Sequence, residues 1–177
     1  MPERKVLTIG FEGHDGSGKS MCAGLLSQAL GAKVWSEGDH KELQQLLNDR
    51  KAIIKKHRGK ENQAMNSELL ETYRTENVMI TNYLKHANET VLIFDRTYVS
   101  YAQERYARAG HKEREEFSFR WPDDVFRPDL IFHIDIAEPL RVQRITSDTE
   151  RTSISEREQQ IADDEVFRER IEEARDR

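Results

Sequence analysis

The chain has 177 residues, of which 34% are charged, and its formal net charge at pH 7 is -5. This length suits one α/β domain over residues 1–177, and a mean hydropathy of -0.84 leaves no apolar run that could span a bilayer. The acidic balance gives no reason to expect a nucleic-acid partner, and the lone Cys22, which cannot form an internal disulfide, favours a cytoplasmic protein.

The first predicted elements surround a glycine-rich loop. Residues 6–11 form an apolar run typical of a strand, and residues 21–30 carry apolar positions at helical spacing. Between these elements, eight residues fit the phosphate-binding pattern G-x-x-x-x-G-K-[ST]: Gly13, His14, Asp15, Gly16, Ser17, Gly18, Lys19 and Ser20. The strand before this loop and the helix after it favour a phosphate site over a simple glycine-rich turn.

The residue types in this loop suit the capture of an anion. Glycines let successive backbone N–H groups point at one phosphate, and the N-terminus of the following helix adds a positive potential. Lys19 would reach the β- and γ-phosphates, and the Ser20 hydroxyl would bind Mg²⁺. We therefore expect the chain to bind a nucleoside triphosphate.

Three further apolar runs predict strands of the same sheet, with helical patterns between them. The strands are predicted at residues 32–36, 90–94 and 130–136, and the helices at 41–56, 65–86 and 98–108. This alternation predicts an α/β fold of three layers, in which helices flank a central, mostly parallel sheet of buried strands. A charged helical tail is predicted over residues 155–177.

Asp95 and Arg96 directly follow the third predicted strand. Ligands of such sheets bind beyond the carboxyl ends of the strands. A carboxylate there can hold a water of the Mg²⁺ shell, and an arginine beside it can donate two hydrogen bonds to a phosphate. With the phosphate loop present, we favour this interpretation over an ion pair at a strand end.

Several motifs, in order, resemble those of thymidylate kinases. The loop, which reads F-E-G-H-D-G-S-G-K-S from Phe11, resembles the opening of that family, and D-R-T-Y-V-S from Asp95 resembles its D-R-[YH]-x-x-S motif. Arg74 precedes Asp95 by 21 residues, where the family has an arginine on its long helix. The segment from Arg127 to Asp135 is similar to the family's P-D-L-x-x-x-L-D strand, and residues 139–144 resemble the helix that leads into its mobile lid.

The resemblance implies a P-loop NTPase fold, a helical lid at about residues 141–156 and a specific reaction. ATP, with Mg²⁺, would donate a phosphoryl group to a nucleoside monophosphate, such as dTMP. Lys19 would act at the transferring phosphate, while Asp95 and Ser20 would hold the metal ion. Arg74 and Arg96 would hold the acceptor phosphate.

Two further roles follow from the same resemblance. Asp15 would accept a hydrogen bond from the sugar 3′-OH. Family members without an arginine in the loop supply one from the lid, and His14 occupies that loop position here. We therefore expect Arg144 to contact ATP and Arg151 to act in catalysis. The opposite assignment of the two lid arginines stays open.

The base-binding region departs from the family pattern. The family's E-P-G segment is replaced by S-E-G-D-H from Ser36, and the aromatic residue that stacks on thymine aligns with Leu70. Tyr73 or Tyr106 could stack on the base instead. The family also continues into a fifth strand and an adenine loop where this chain has its charged tail.

Two alternatives and the oligomeric state stay open. A deoxynucleoside kinase shares the phosphate loop but places a carboxylate base, such as Glu37, beside the 5′-OH. A nucleotide-binding protein without turnover would keep the loop alone. The expected partners are ATP and a nucleoside monophosphate, and a homodimer is neither required nor excluded by the sequence.

Overall fold

The computed structural model describes residues 6–14, 16–35, 40–57, 63–108 and 118–147, together with Glu169 and Glu173. The elements in chain order are β1 (Leu7–Glu12), α1 (Lys19–Leu30), β2 (Lys33–Trp35), α2 (Lys41–Lys56), α3 (Gln63–His86), β3 (Val91–Phe94), α4 (Tyr98–Arg108), β4 (Leu130–His133) and α5 (Glu138–Ser147). Within these ranges, no helix is long and apolar enough to cross a membrane.

The sheet is parallel and has the strand order β2-β3-β1-β4. Phe94 of β3 pairs with Gly10 of β1 on one side and with Trp35 of β2 on the other. Parallel neighbours end at the same edge, so the residues after β1 and after β3 lie close together. The predicted α/β fold with a parallel sheet is confirmed, and this edge carries the loop after β1 and Asp95.

Helices cover both faces of the central strands. On one face, Leu92 and Phe94 pack with Leu43 of α2 and Ile80 of α3. On the other face, α1 packs against Ile9, Phe11 and Ile93, together with its own Ala23. These apolar contacts fix the positions of α1, α2 and α3 around the carboxyl edge of the sheet.

One predicted strand differs from expectation in its burial. All four residues of β4 are exposed, and Phe132 retains 48% of its surface. The prediction that every strand is buried is therefore wrong for β4. The physical reason is that these four side chains do not take part in the two apolar clusters in which helices cover the central strands.

Candidate active site

The loop between β1 and α1 has a backbone that only glycine adopts readily. Gly13, Gly16 and Gly18 have φ values of 138°, 82° and 98°, in the region that disfavours side chains. A Cβ atom on Gly13 would also lie 2.3 Å from the carbonyl oxygen of Ile134. The Ser17 N–H donates to the His14 carbonyl at 3.1 Å, and α1 starts directly afterwards. The sequence therefore forms the tight loop at a helix N-terminus that suits phosphate binding.

Lys19 is folded back into this loop. Its side chain is buried, with 5% of the residue exposed, and Nζ donates to the His14 carbonyl at 2.8 Å. The ammonium group is thus held beside the loop backbone. A buried cation in this place complements the charge of a triphosphate.

Ser20 and Asp95 come together although they are 75 residues apart in sequence. The Ser20 hydroxyl donates to Asp95 Oδ2 at 2.7 Å. The other carboxylate oxygen, Oδ1, is buried and makes no hydrogen bond to the described part of the chain. A hydroxyl next to a buried, unpaired carboxylate oxygen fits Mg²⁺, which typically takes one or two protein ligands besides phosphates and water. Elsewhere in the described ranges, no cluster of three or more acidic, histidine or cysteine side chains offers a metal site.

Glu12 is a site residue that the sequence analysis left without a role. It is completely buried at the end of β1 and accepts hydrogen bonds from the backbone N–H and hydroxyl of Thr97 and from the Ser100 hydroxyl at 2.5 Å. These bonds tie the segment after β3, which carries Asp95 and Arg96, to the phosphate loop. The available signal was a carboxylate at the end of an apolar strand, since a buried charge needs such partners.

A cavity of about 480 Å³ extends from Asp95 and Arg96 between α2 and α3. This volume falls in the range of small-molecule sites. Helix α3 turns the face with Tyr73, Glu76 and Asn77 towards the cavity. Tyr98 lies opposite, and burial raises the pKa of its hydroxyl.

The structure places Leu70 and Arg74 outside the described lining of this cavity. Leu70 packs against the apolar cluster of α3 and α4. Arg74 Nε donates to Asp124 at 2.6 Å, and Nη1 donates to Glu71 at 3.3 Å. These hydrogen bonds raise the pKa of Arg74, with the larger contribution from Glu71 and the smaller from Asp124. The guanidinium group therefore has two acidic partners of its own.

The two tyrosines that could stack on the base also occupy different places in the structure. Tyr73 lines the cavity, whereas Tyr106 is completely buried elsewhere. The face of Tyr73 is in contact with an arginine, because Arg50 Cζ lies 3.8 Å from the ring centroid. Arg50 itself lines the cavity, and its helical pattern alone did not mark it as a site residue.

The lid region is described only in part. Arg144, on α5, reaches the phosphate loop, where its Nη1 lies 3.4 Å from the Ser17 carbonyl oxygen. Asp15, Arg151 and Glu37 lie outside the described residues, so their assigned roles stay predictions.

Comparisons with known proteins identify the family and support the fold. The family model for thymidylate kinase matches residues 11–176. No curated protein sequence gave a match. Among solved structures, a deoxyadenosine kinase from M. mycoides with dCMP and dCDP bound is 18% identical, covers 94% of this chain and 82% of its own, and has a TM-score of 0.52.

Two further structures are similar. The same M. mycoides enzyme with bound dATP is 16% identical over 97% of this chain and 85% of its own, with a TM-score of 0.51. A thymidylate kinase from Ehrlichia chaffeensis is 19% identical over 79% and 82%, with a TM-score of 0.48. At these identities, the likeness concerns the fold. Because the family match spans nearly the whole chain, and the loop and the Ser20–Asp95 pair have the geometry that it implies, the chain belongs to the thymidylate kinase family and is a nucleotide-phosphorylating kinase.

Proposed function

We propose that this kinase transfers the terminal phosphoryl group of ATP to the phosphate of a deoxynucleoside monophosphate. The observation that carries the proposal is the charge of the cavity beside the phosphate loop. Its described lining has three cations, Arg50, Lys51 and Arg96, against two carboxylates, Glu76 and Asp95. This balance favours an acceptor that brings negative charge of its own.

The phosphate end of the site supplies the electrostatics of the reaction. Phosphoryl transfer needs in-line positioning and neutralisation of charge rather than covalent chemistry by the protein. Lys19 and the backbone N–H groups of the loop would hold the β- and γ-phosphates, with Arg96 on the acceptor phosphate. Ser20 and Asp95 would hold Mg²⁺, which, when bound, lowers the charge of the triphosphate. Arg144 or Arg151 would add a cation from the lid.

The rival reaction, phosphorylation of a deoxynucleoside, needs a different group in the site. A deoxynucleoside kinase needs a carboxylate that removes the 5′-OH proton. In the described cavity, Glu76 pairs with Arg50 and Asp95 accepts from Ser20, while Glu37, the base suggested for the rival reaction, lies outside the described residues. The preference for a monophosphate acceptor therefore rests on the charge of the cavity, and Asp15 is our proposed partner of the 3′-OH.

A substrate panel tests the proposal directly. The full-length chain is incubated with ATP and Mg²⁺ and each of five deoxynucleoside monophosphates or the corresponding nucleosides, and products are separated by anion-exchange chromatography. We expect a nucleoside diphosphate and no phosphorylation of nucleosides. Monophosphate formation from nucleosides would establish the rival kinase, and ATP binding without transfer would establish a protein without turnover. A Lys19→Ala preparation controls for contaminating kinases.

A further inference from the structure

A partly buried ion pair connects α2 and α3 in the cavity wall. Arg50 Nη2 lies 2.7 Å from Glu76 Oε2, and the side chains are only 11% and 16% exposed. Burying two charges in this way adds little stability, because desolvation offsets their attraction. An apolar pair would join the two helices equally well. Because both side chains line the cavity, we look for the role of their charges in ligand recognition.

Both members of the pair are held in place by neighbours. Arg50 Nε donates to Thr72 Oγ1 at 2.8 Å, and the guanidinium lies 3.8 Å from the Tyr73 ring centroid. Trp35 Nε1 donates to Glu76 Oε1 at 3.2 Å. The result is a fixed donor next to a fixed acceptor on the cavity wall, a preorganised arrangement that suits recognition.

The pair also retains unused hydrogen-bonding capacity. Arg50 Nη1 makes no hydrogen bond to any described residue, while Nε and Nη2 do. Each carboxylate oxygen of Glu76 has room for a second hydrogen bond. A ligand in the cavity can therefore accept from Arg50 and donate to Glu76 at the same time.

We propose that Arg50 and Glu76 select the nucleobase by reading an imide edge. Arg50 donates to an exocyclic carbonyl oxygen, and Glu76 accepts from the adjacent ring N–H. Thymine, uracil and guanine present this pair of groups. Cytosine and adenine present an amino group and a ring lone pair instead. Their amino group would face the Arg50 donor and their lone pair would face the Glu76 acceptor, so neither hydrogen bond forms. The inference rests on the proposed function, since it assigns the base of the same acceptor.

This assignment differs from the one that the sequence resemblance implies. The resemblance aligns Leu70 with the residue that stacks on the base and assigns Arg74 to the acceptor phosphate, so it turns this i, i+4 pair of α3 towards the acceptor. In the structure, α3 instead lines the cavity with Tyr73, Glu76 and Asn77. The arginine that we propose at the base, Arg50, comes from α2.

The first test uses the unaltered protein and a ligand series. We compare kcat/KM for dTMP, dUMP, dGMP, dCMP and dAMP, and add N3-methyl-dTMP, in which the ring N–H is replaced. We expect dTMP to exceed both dCMP and N3-methyl-dTMP by about 10- to 100-fold, the usual cost of a buried polar group left unpaired. Preference for dUMP or for dGMP distinguishes the pyrimidine and purine forms of the same edge. Equal use of dTMP and N3-methyl-dTMP, or preference for dCMP or dAMP, would overturn the proposal.

The second test removes the pair. Replacing both residues together, Arg50→Met with Glu76→Leu, avoids leaving one buried charge unpaired. We expect the ratio of kcat/KM for dTMP over dCMP to fall to within about 3-fold, because neither edge then finds a charged partner. The matched control is Lys56→Gln with Glu68→Gln, an ion pair of 2.9 Å between the same helices outside the cavity, which should keep the wild-type ratio.

The readout separates recognition from a structural role. A purely structural pair would change the activity towards all nucleotides equally and keep their ratio, and a folded double variant with the wild-type ratio would refute base reading. Failure of the proposed function looks different. If only nucleosides are phosphorylated, the same ratio is measured with thymidine and deoxycytidine, and if nothing is phosphorylated, it is measured as Kd by calorimetry.

Discussion

The phosphate loop and the proposed base end of the nucleotide site are encoded in different ways. At the phosphate end, residues 13–20 are nearly all that is needed, because positive φ angles at three glycines create the loop. At the base end, side chains from β2, α2 and α3 meet in one cavity. The first site follows from local spacing. The second depends on which face each helix turns inward, which packing decides.

The largest expected effect sharpens the local side of this comparison. Lys19→Ala should lower kcat by at least about 10³-fold, since the ammonium group stabilises charge that moves to the leaving oxygen. Its hydrogen bond to the His14 carbonyl lies within the loop, so the fold should remain intact. Circular dichroism checks folding, and a coupled assay of ADP release checks turnover. Near-normal activity in the folded variant would contradict the kinase site.

A second change tests whether the two distant motifs form one metal site. Asp95→Asn should lower kcat by about 10²-fold and raise the Mg²⁺ concentration needed for half-maximal rate, because an amide replaces the anionic oxygens beside Ser20. Mg²⁺ titrations at saturating ATP measure both quantities. An unchanged Mg²⁺ requirement would show that the Ser20–Asp95 contact is only structural.

The sequence could predict the fold and the phosphate end because their signals are periodic or local. Helix α2 was expected at residues 41–56 and is found at Lys41–Lys56, and Ser20 and Asp95 were expected together and lie in hydrogen-bond contact. Sequence could not select the inner face of α3. Leu70 with Arg74 and Tyr73 with Asn77 share the same spacing of four, so periodicity cannot choose between them. Contact with Arg50 of α2 makes that choice.

Arg96 and Arg74 provide a third test. The resemblance assigns both to the acceptor phosphate, whereas in the structure Arg74 is bound to Asp124 and Glu71. Arg96→Ala should weaken monophosphate binding by about 10- to 100-fold and ATP binding little, as expected for loss of a charge-assisted phosphate contact. Arg74→Ala should have a smaller effect on either ligand, since Arg74 is bound to Asp124 and Glu71. Calorimetry with each ligand separates the cases. Equal losses in the two variants would restore Arg74 to the acceptor phosphate.

Substitution of Arg144 tests whether the lid contributes to ATP binding. Its contact with the Ser17 carbonyl places it at the donor loop, so Arg144→Ala should raise the KM for ATP by about 10-fold, with a smaller change in kcat. Arg151→Ala, the catalytic lid residue implied by the resemblance, should show the opposite pattern, with kcat reduced by about 10²- to 10³-fold and KM little changed. Initial rates over a range of ATP concentrations distinguish the two. The reverse result would exchange the two roles.

The smallest effect on activity is expected at Leu70, which separates the two interpretations of α3 most cleanly. Leu70 packs on the α3–α4 cluster, so Leu70→Ala should reduce stability by about 2 kcal/mol or less while the KM for the monophosphate stays unchanged. Tyr73→Ala should instead raise that KM about tenfold, because the ring holds the Arg50 guanidinium in the cavity wall. Urea unfolding measures the first quantity and steady-state kinetics the second. A raised KM in a stable Leu70→Ala protein would mean that α3 presents the Leu70 face to the base after all.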